Sequence, residues 1–188
     1  MRNMAGSRRD YSLTTILLLF GIVMFFVDGC ARIPLSYLPS SVNKVSGSVS
    51  ISNFKYLPAE TGEVQPFQIR NTALGKLKFD KNIDIYFRES VSMELRFAGV
   101  VGLDNKTRVL NGEIEDLMVD DLSYNADWTL RVHYLIKDLQ TGDIVYSSTK
   151  ITQCKASKLM NVNSALNDII KLNIEELMKD EAFIKAIH

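Results

Sequence analysis

Residues 128–137 read Trp-Thr-Leu-Arg-Val-His-Tyr-Leu-Ile-Lys, and this stretch decides the fold. Trp128, Leu130, Val132, Tyr134 and Ile136 alternate with Thr129, Arg131, His133, Leu135 and Lys137. Successive side chains of an extended chain point to opposite faces, so the pattern predicts a strand with one buried and one largely polar face. Downstream, Asp138-Leu-Gln-Thr-Gly142-Asp143 carries the residues of a hairpin connection, and Ile144 to about Thr152 returns as a further strand. Upstream, Leu110, Gly112 and Ile114 alternate with Asn111, Glu113 and Glu115 within a strand expected over Arg108 to Val119.

The period changes on either side of this meander. Ile83, Phe87, Val91 and Leu95 recur every four residues, with Tyr86 and Ala98 on the same side, which predicts an amphipathic helix. Asp80 or Asn82 suits its start and Gly99 its left-handed exit. Val162, Leu166, Ile169, Ile170, Asn173 and Leu177 form a second stripe, and Asp180 can cap a short final turn. Val49, Ile51, Phe54 and Tyr56 predict a first strand, ended by Pro58. The order is therefore β-α-β-β-β-α: an α+β fold with a four-stranded mixed sheet and two helices on one face. The first helix crosses between parallel strands, and the last three strands form an antiparallel meander. The segment from Pro58 to Lys78 is polar and shows no period. A connection of that length is often functional, and Phe67, Gln68, Ile69, Arg70 and Asn71 are its candidate partner-binding residues.

The N-terminus reads as an address. Ile16 to Val27 is an apolar run of 12 residues, too short to span a bilayer comfortably, and Arg2, Arg8 and Arg9 precede it. Val27-Asp28-Gly29-Cys30 follows at once. This resembles the lipobox of bacterial lipoproteins, in which an aliphatic residue and two small ones precede the cysteine that becomes the new, acylated N-terminus. Asp28 departs from that pattern. The expected organisation is a signal peptide over 1–29, a lipidated tether over 30–47 and one periplasm-facing domain over 48–188. Each buried acyl CH₂ stabilises anchoring by about 0.8 kcal/mol, so several chains (palmitate and its kin) on Cys30 hold a protein without a spanning helix. The resemblance also implies sorting to the outer membrane, since Ala31 stands where an Asp is the usual retention signal.

Charge and motifs narrow the function classes. The chain has 22 basic and 22 acidic residues; residues 1–29 hold three arginines and two aspartates, so the mature part carries 19 against 20. No basic footprint of a nucleic-acid binder is present. His133 and His188 lie at no metal-ligand spacing from Cys or Glu, so neither a metal nor another cofactor is expected. Neither a Gly-x-Ser-x-Gly elbow nor a phosphate-cradling Gly loop stands out, and the expectation is a non-enzymatic protein with no catalytic residue. Glu113, Glu115, Asp116, Asp120, Asp121 and Asp127 are expected to be solvated charges at a sheet edge, and Cys154 an inert, buried thiol.

With Cys30, the long segment after the first strand, the helix end Glu94-Leu-Arg-Phe-Ala-Gly99 and the meander Val109–Ile114 and Trp128–Tyr134, the chain resembles small envelope lipoproteins of the YajG, LptE and ABC-transport auxiliary type. That resemblance implies a lipid-anchored interaction or assembly subunit of a cell-envelope complex with protein partners. The alternative is a periplasmic lipid or glycolipid carrier, which demands an apolar cavity of several hundred Å³.

Overall fold

Strand and helix periods become elements as the side-chain patterns require. The computed structural model describes residues 32–40, 43–73, 77–100 and 107–188; the expected signal peptide and Cys30 lie outside the described residues. β1 (Ser50–Tyr56) leads into a single helical turn, α1 (Leu57–Glu60), and a two-residue strand, β2 (Arg70–Asn71). α2 (Ile83–Ala98) precedes the meander β3 (Arg108–Asp120), β4 (Asn125–Asp138) and β5 (Ile144–Ser157), and α3 (Val162–Met178) and α4 (Glu181–Ile187) close the chain.

The sheet order is β1-β3-β4-β5, with β2 also on β3. β1 and β2 both run parallel to β3, one after the other along the same edge: Tyr56 pairs with Ile114, and Arg70 with Met118. β3, β4 and β5 are antiparallel neighbours. The fold is thus the α+β mixed sheet expected, with the crossover helix α2 between the parallel strands β1 and β3. The short final turn expected after Asp180 is α4, and α1 and the two-residue β2, unmarked by any long periodic run, are added to the expected elements.

One irregularity redirects β3. Its register against β4 slips between Ile114 and Asp116, which leaves Glu115 as the extra residue of a bulge. Leu110, Gly112 and Ile114 face the core before it, and Leu117 and Val119 after it. Without that residue the odd-numbered apolar positions would turn to the open face.

The core lies between one sheet face and the helices. Phe54 of β1 meets Phe87 of α2 and Tyr134 of β4 edge-on, with ring centres 5.2 Å and 6.0 Å apart. Gly112 is where the Phe54 ring lies against the strand: a Cβ there would stand 2.2 Å from Cε1 of Phe54. Gly99 ends α2 with φ 108°, the left-handed exit its position predicts. α3 is joined to the sheet by a buried polar bridge. The Tyr134 hydroxyl donates to Asn173 Oδ1 at 2.8 Å, and Asn173 Nδ2 donates to Thr152 Oγ1 at 2.9 Å. Tyr134 and Asn173 are fully buried, so these bonds answer groups that would otherwise be desolvated without partners.

α4 is held by its own cap. Asp180 Oδ1 accepts from the Ala182 N–H at 2.9 Å, while Oδ2 accepts from the Tyr146 hydroxyl at 2.8 Å and pairs with Lys150 Nζ at 2.6 Å. Burial would raise the Asp180 carboxyl. The bonds from Lys150, Tyr146 and Ala182 more than reverse that and hold it below the ordinary carboxylate range.

The segment expected as a tether differs most from the sequence reading. The compact unit begins at Arg32, not at residue 48. Ile33 bridges to Phe79, and its N–H donates to the Lys78 carbonyl at 2.8 Å. The Leu35 N–H donates to Asp80 Oδ1 at 3.0 Å, and Asn167 Nδ2 reaches the Ser36 carbonyl at 2.7 Å. Tyr37 is buried and donates to Glu94 Oε1 at 2.7 Å; the same carboxylate takes the Ser40 N–H at 3.1 Å. Further on, the Val45 N–H meets the Ala98 carbonyl at 3.0 Å and the Ser48 N–H the Ile187 carbonyl at 2.7 Å. The chain therefore enters beside the first turns of α2 and α3 and runs as a strap to the other end, where β1 begins. Its polar composition hides this because backbone groups and one buried carboxylate, rather than an apolar stripe, hold it.

Candidate functional site

The excursion between β1 and β2 starts because Pro58 cannot continue a sheet ladder but suits a helical first turn. Thr61 closes α1 by donating its hydroxyl to the Leu57 carbonyl at 3.1 Å, and Gly62 turns the chain at φ 79°. The return is set by Gln68, whose Oε1 accepts the Gln65 N–H at 3.1 Å. β2 then rejoins β3 four residues beyond the last β1 pair. The excursion encloses an open cleft of about 570 Å³ lined by Glu63, Val64, Gln68, Ile69, Arg70 and Asn71 among others.

Within it the five candidate residues separate. Ile69 is 2% exposed and belongs to the core, and Gln68 is buried and bonded as above. Phe67 is half-buried beneath the Arg32 guanidinium, 4.3 Å from its ring centre. Asn71 is half-buried in β2. Arg70 faces the cleft, but its Nη1 lies 2.8 Å from Glu63 Oε2 and its Nη2 2.9 Å from Asp116 Oδ1. The hydrogen bond to Glu63 raises the Arg70 guanidinium and, with Thr61, lowers the Glu63 carboxyl. Two carboxylates thus neutralise the one cation, and residues 60–63, 65 and 66 form the outward surface of the excursion. Burial, then the Asp116 charge, pushes the Tyr56 hydroxyl up, and that hydroxyl has no hydrogen-bond partner among the described residues.

The acidic group also divides. Asp121 is 1% exposed, not solvated: its carboxylate accepts from the Thr72 hydroxyl at 2.8 Å and the Ala73 N–H at 2.6 Å, which ties the chain after β2 to the β3–β4 turn. Asp120 takes the Leu122 N–H at 3.2 Å. Glu113 and Asp127 stay near solvent, opposite Lys55 and Lys155 at 3.5 and 3.8 Å.

Other chemistry-bearing groups lie apart. His133 is on the accessible sheet face, 3.0 Å from the Ser147 hydroxyl. Cys154 is a free, half-buried thiol inside β5; burial and then Asp168 push it up, which disfavours the thiolate. Among the described residues no three His, Cys, Asp or Glu side chains gather as a metal ion would need, and no helix is long and apolar enough to cross a membrane. Beside Cys154, an open groove of about 250 Å³ runs between β5 and α3, and a recess of about 40 Å³ lies under Trp128 and Val162. β5 is the sheet edge with no further strand against it among the described residues, and its face carries Val145, Ser147, Thr149, Ile151, Gln153 and Lys155, all exposed.

Glu94 is a buried charged residue that stripe counting passes over. It lies three residues after Val91 on the inward face, and its burial beside Tyr37 makes it the anchor of the strap.

No protein-family model and no curated protein sequence matches this chain. Among solved structures, protein XCC0632 from Xanthomonas campestris, described with the family model DUF330, superposes with a TM-score of 0.62 at 12% identity, over 79% of this chain and 92% of that one. Lower overlaps, with TM-scores of 0.44 and 0.33, are found with PelC of Paraburkholderia phytofirmans (12% identity; 76% of this chain, 95% of that one) and lipoprotein GNA1162 of Neisseria meningitidis (6% identity; 71% and 99%). This chain shares the fold of the Xanthomonas protein.

Proposed function

We propose that the protein is a non-enzymatic, lipid-anchored subunit of a bacterial cell-envelope assembly, held on the periplasmic side of the outer membrane through Cys30. The observation that carries this is the order of three features in one short stretch. An export-type apolar run ends at Val27, a cysteine preceded by glycine follows at residue 30, and the packed unit begins at Arg32. The β5 edge, which no strand covers among the described residues, supports the interaction role, because a free edge offers main-chain hydrogen bonds to a partner strand. The outward surface of the 60–66 excursion is the second contact region.

A carrier of lipid or glycolipid is the competing reading. The groove between α3 and β5 is its natural place, and its 250 Å³ is small for acyl chains.

Two experiments test the proposal. Cys30→Ala followed by fractionation should move the protein out of the membrane pellet; normal yield in the pellet overturns the acyl anchor. Affinity purification of the tagged chain from detergent-solubilised envelopes should return a stoichiometric envelope protein. Recovery of the chain alone overturns the subunit role.

A further inference from the structure

The end of the fold at which the chain enters carries an apolar rim. Pairing of Asn125 with Ser157 sets the β3–β4 turn beside the connection from β5 to α3. On these two turns Tyr124 is 92% exposed, Leu159 97%, Leu122 71% and Met160 42%. Beneath them Leu77, Ala126, Trp128, Met160 and Val162 line the small apolar recess. Leu77 adjoins Lys78, whose carbonyl holds the Ile33 N–H, and Asn163, in the first turn of α3, reaches the Ser36 carbonyl at 3.4 Å. Rim and chain entry therefore share one end of the domain.

We infer that this rim rests in the interfacial layer of the bilayer that holds the protein. The inference deepens the anchor reading and rests on acylation of Cys30. The chain between anchor and fold is short. Cys30 stands two residues before Arg32, and two residues span at most about 7 Å. The strap from Arg32 onward is bound to α2 and α3, so the domain hangs on no long leash. An acylated Cys30 brings this end to the membrane surface, and the side chains exposed there are the kind that partition into it: leucine and methionine with a tyrosine, whose amphipathic ring suits the headgroup level. The far end has exposed apolar side chains of its own, Leu139 and Ile144. The chain does not enter there, and the length of β4 puts Leu139 about 40 Å away.

The test uses the full acylated protein with Cys154→Ser and single cysteines introduced by Leu159→Cys, Leu122→Cys or Leu139→Cys, each labelled with a polarity-sensitive fluorophore. The proteins are reconstituted into phosphatidylcholine–phosphatidylglycerol vesicles bearing a shallow nitroxide quencher, and the mass of the N-terminal peptide is measured on the same preparation. Probes at 159 and 122 should shift to the blue and be quenched, while the probe at 139 keeps its aqueous spectrum. Acylated Cys30 with all three probes equally unquenched overturns this inference alone. An unacylated Cys30 overturns the anchor and this inference together.

Discussion

Replacing Gly112 by alanine is expected to destabilise the protein by about 2 kcal/mol, and the geometry supplies the reason. The added Cβ would stand 2.2 and 2.6 Å from Cε1 and Cδ1 of Phe54, with the His133 carbonyl oxygen at 3.2 Å. Carbon atoms pack at about 3.5–4.0 Å, so the ring must retreat by more than about 1 Å. It has little room: Phe54 is 4% exposed and is flanked by Phe87 and Tyr134. Overpacking of this kind costs about 1–3 kcal/mol, and spoiling an aromatic edge contact about 0.5–1.5 more. Against this stands a gain of about 0.5–1 kcal/mol from removing a glycine within a strand. The balance is a loss of about 0.5–4 kcal/mol, centred near 2, which is roughly 4–8 °C in Tm at the centre for a protein of this size. Urea unfolding followed by Trp128 fluorescence measures it. Phe54→Ala alone should cost about 3–5 kcal/mol, and the double variant less than the sum of the two, because the new methyl occupies space the ring vacates. An unchanged or raised midpoint for Gly112→Ala, or strict additivity in the cycle, refutes the packing argument.

Three further outcomes concern buried or half-buried polar groups. Glu94→Ala leaves the Tyr37 hydroxyl and the Ser40 N–H without this acceptor, so it should cost about 2–4 kcal/mol and speed hydrogen exchange at Ser40; an unchanged exchange rate there contradicts the strap's attachment. Asn173→Leu orphans the Tyr134 hydroxyl and should cost about 1–3 kcal/mol, with Tyr134→Phe recovering part of the loss in the double variant; no recovery argues against the bridge. The Asp180 carboxyl is held below its unfolded range, so its contribution is present above the unfolded pKa of about 3.9 and fades as pH falls through the folded value. The stability gap between the protein and Asp180→Asn should accordingly be widest near neutrality and shrink below about pH 4; a gap that stays constant down to pH 3 contradicts the cap's ionic character.

The meander and both long helices were legible because their burial follows a simple period: alternate residues on β4, and a three-to-four spacing on α2 and α3. What stayed hidden is held by something other than an apolar repeat. β2 is two residues long and is read only through its partner β3. Glu115 shifts the inward positions from even to odd numbers, which simple alternation does not foresee. The strap looks like a linker because Tyr37, Val45 and a set of main-chain bonds do the work that a stripe does elsewhere. Of the candidate loop residues, Ile69 belongs to the core because an apolar residue one position before a short edge strand has the sheet to bury against. Arg70 looked like a free donor only because Asp116, its second partner, lies 46 positions away on β3.

The mass of the N-terminal peptide of the membrane-extracted protein bears most directly on all of this. A peptide that begins at Cys30 and carries a diacylglyceryl group is the expected result. A peptide that begins at Met1 with Cys30 unmodified, recovered from a soluble fraction, contradicts the account.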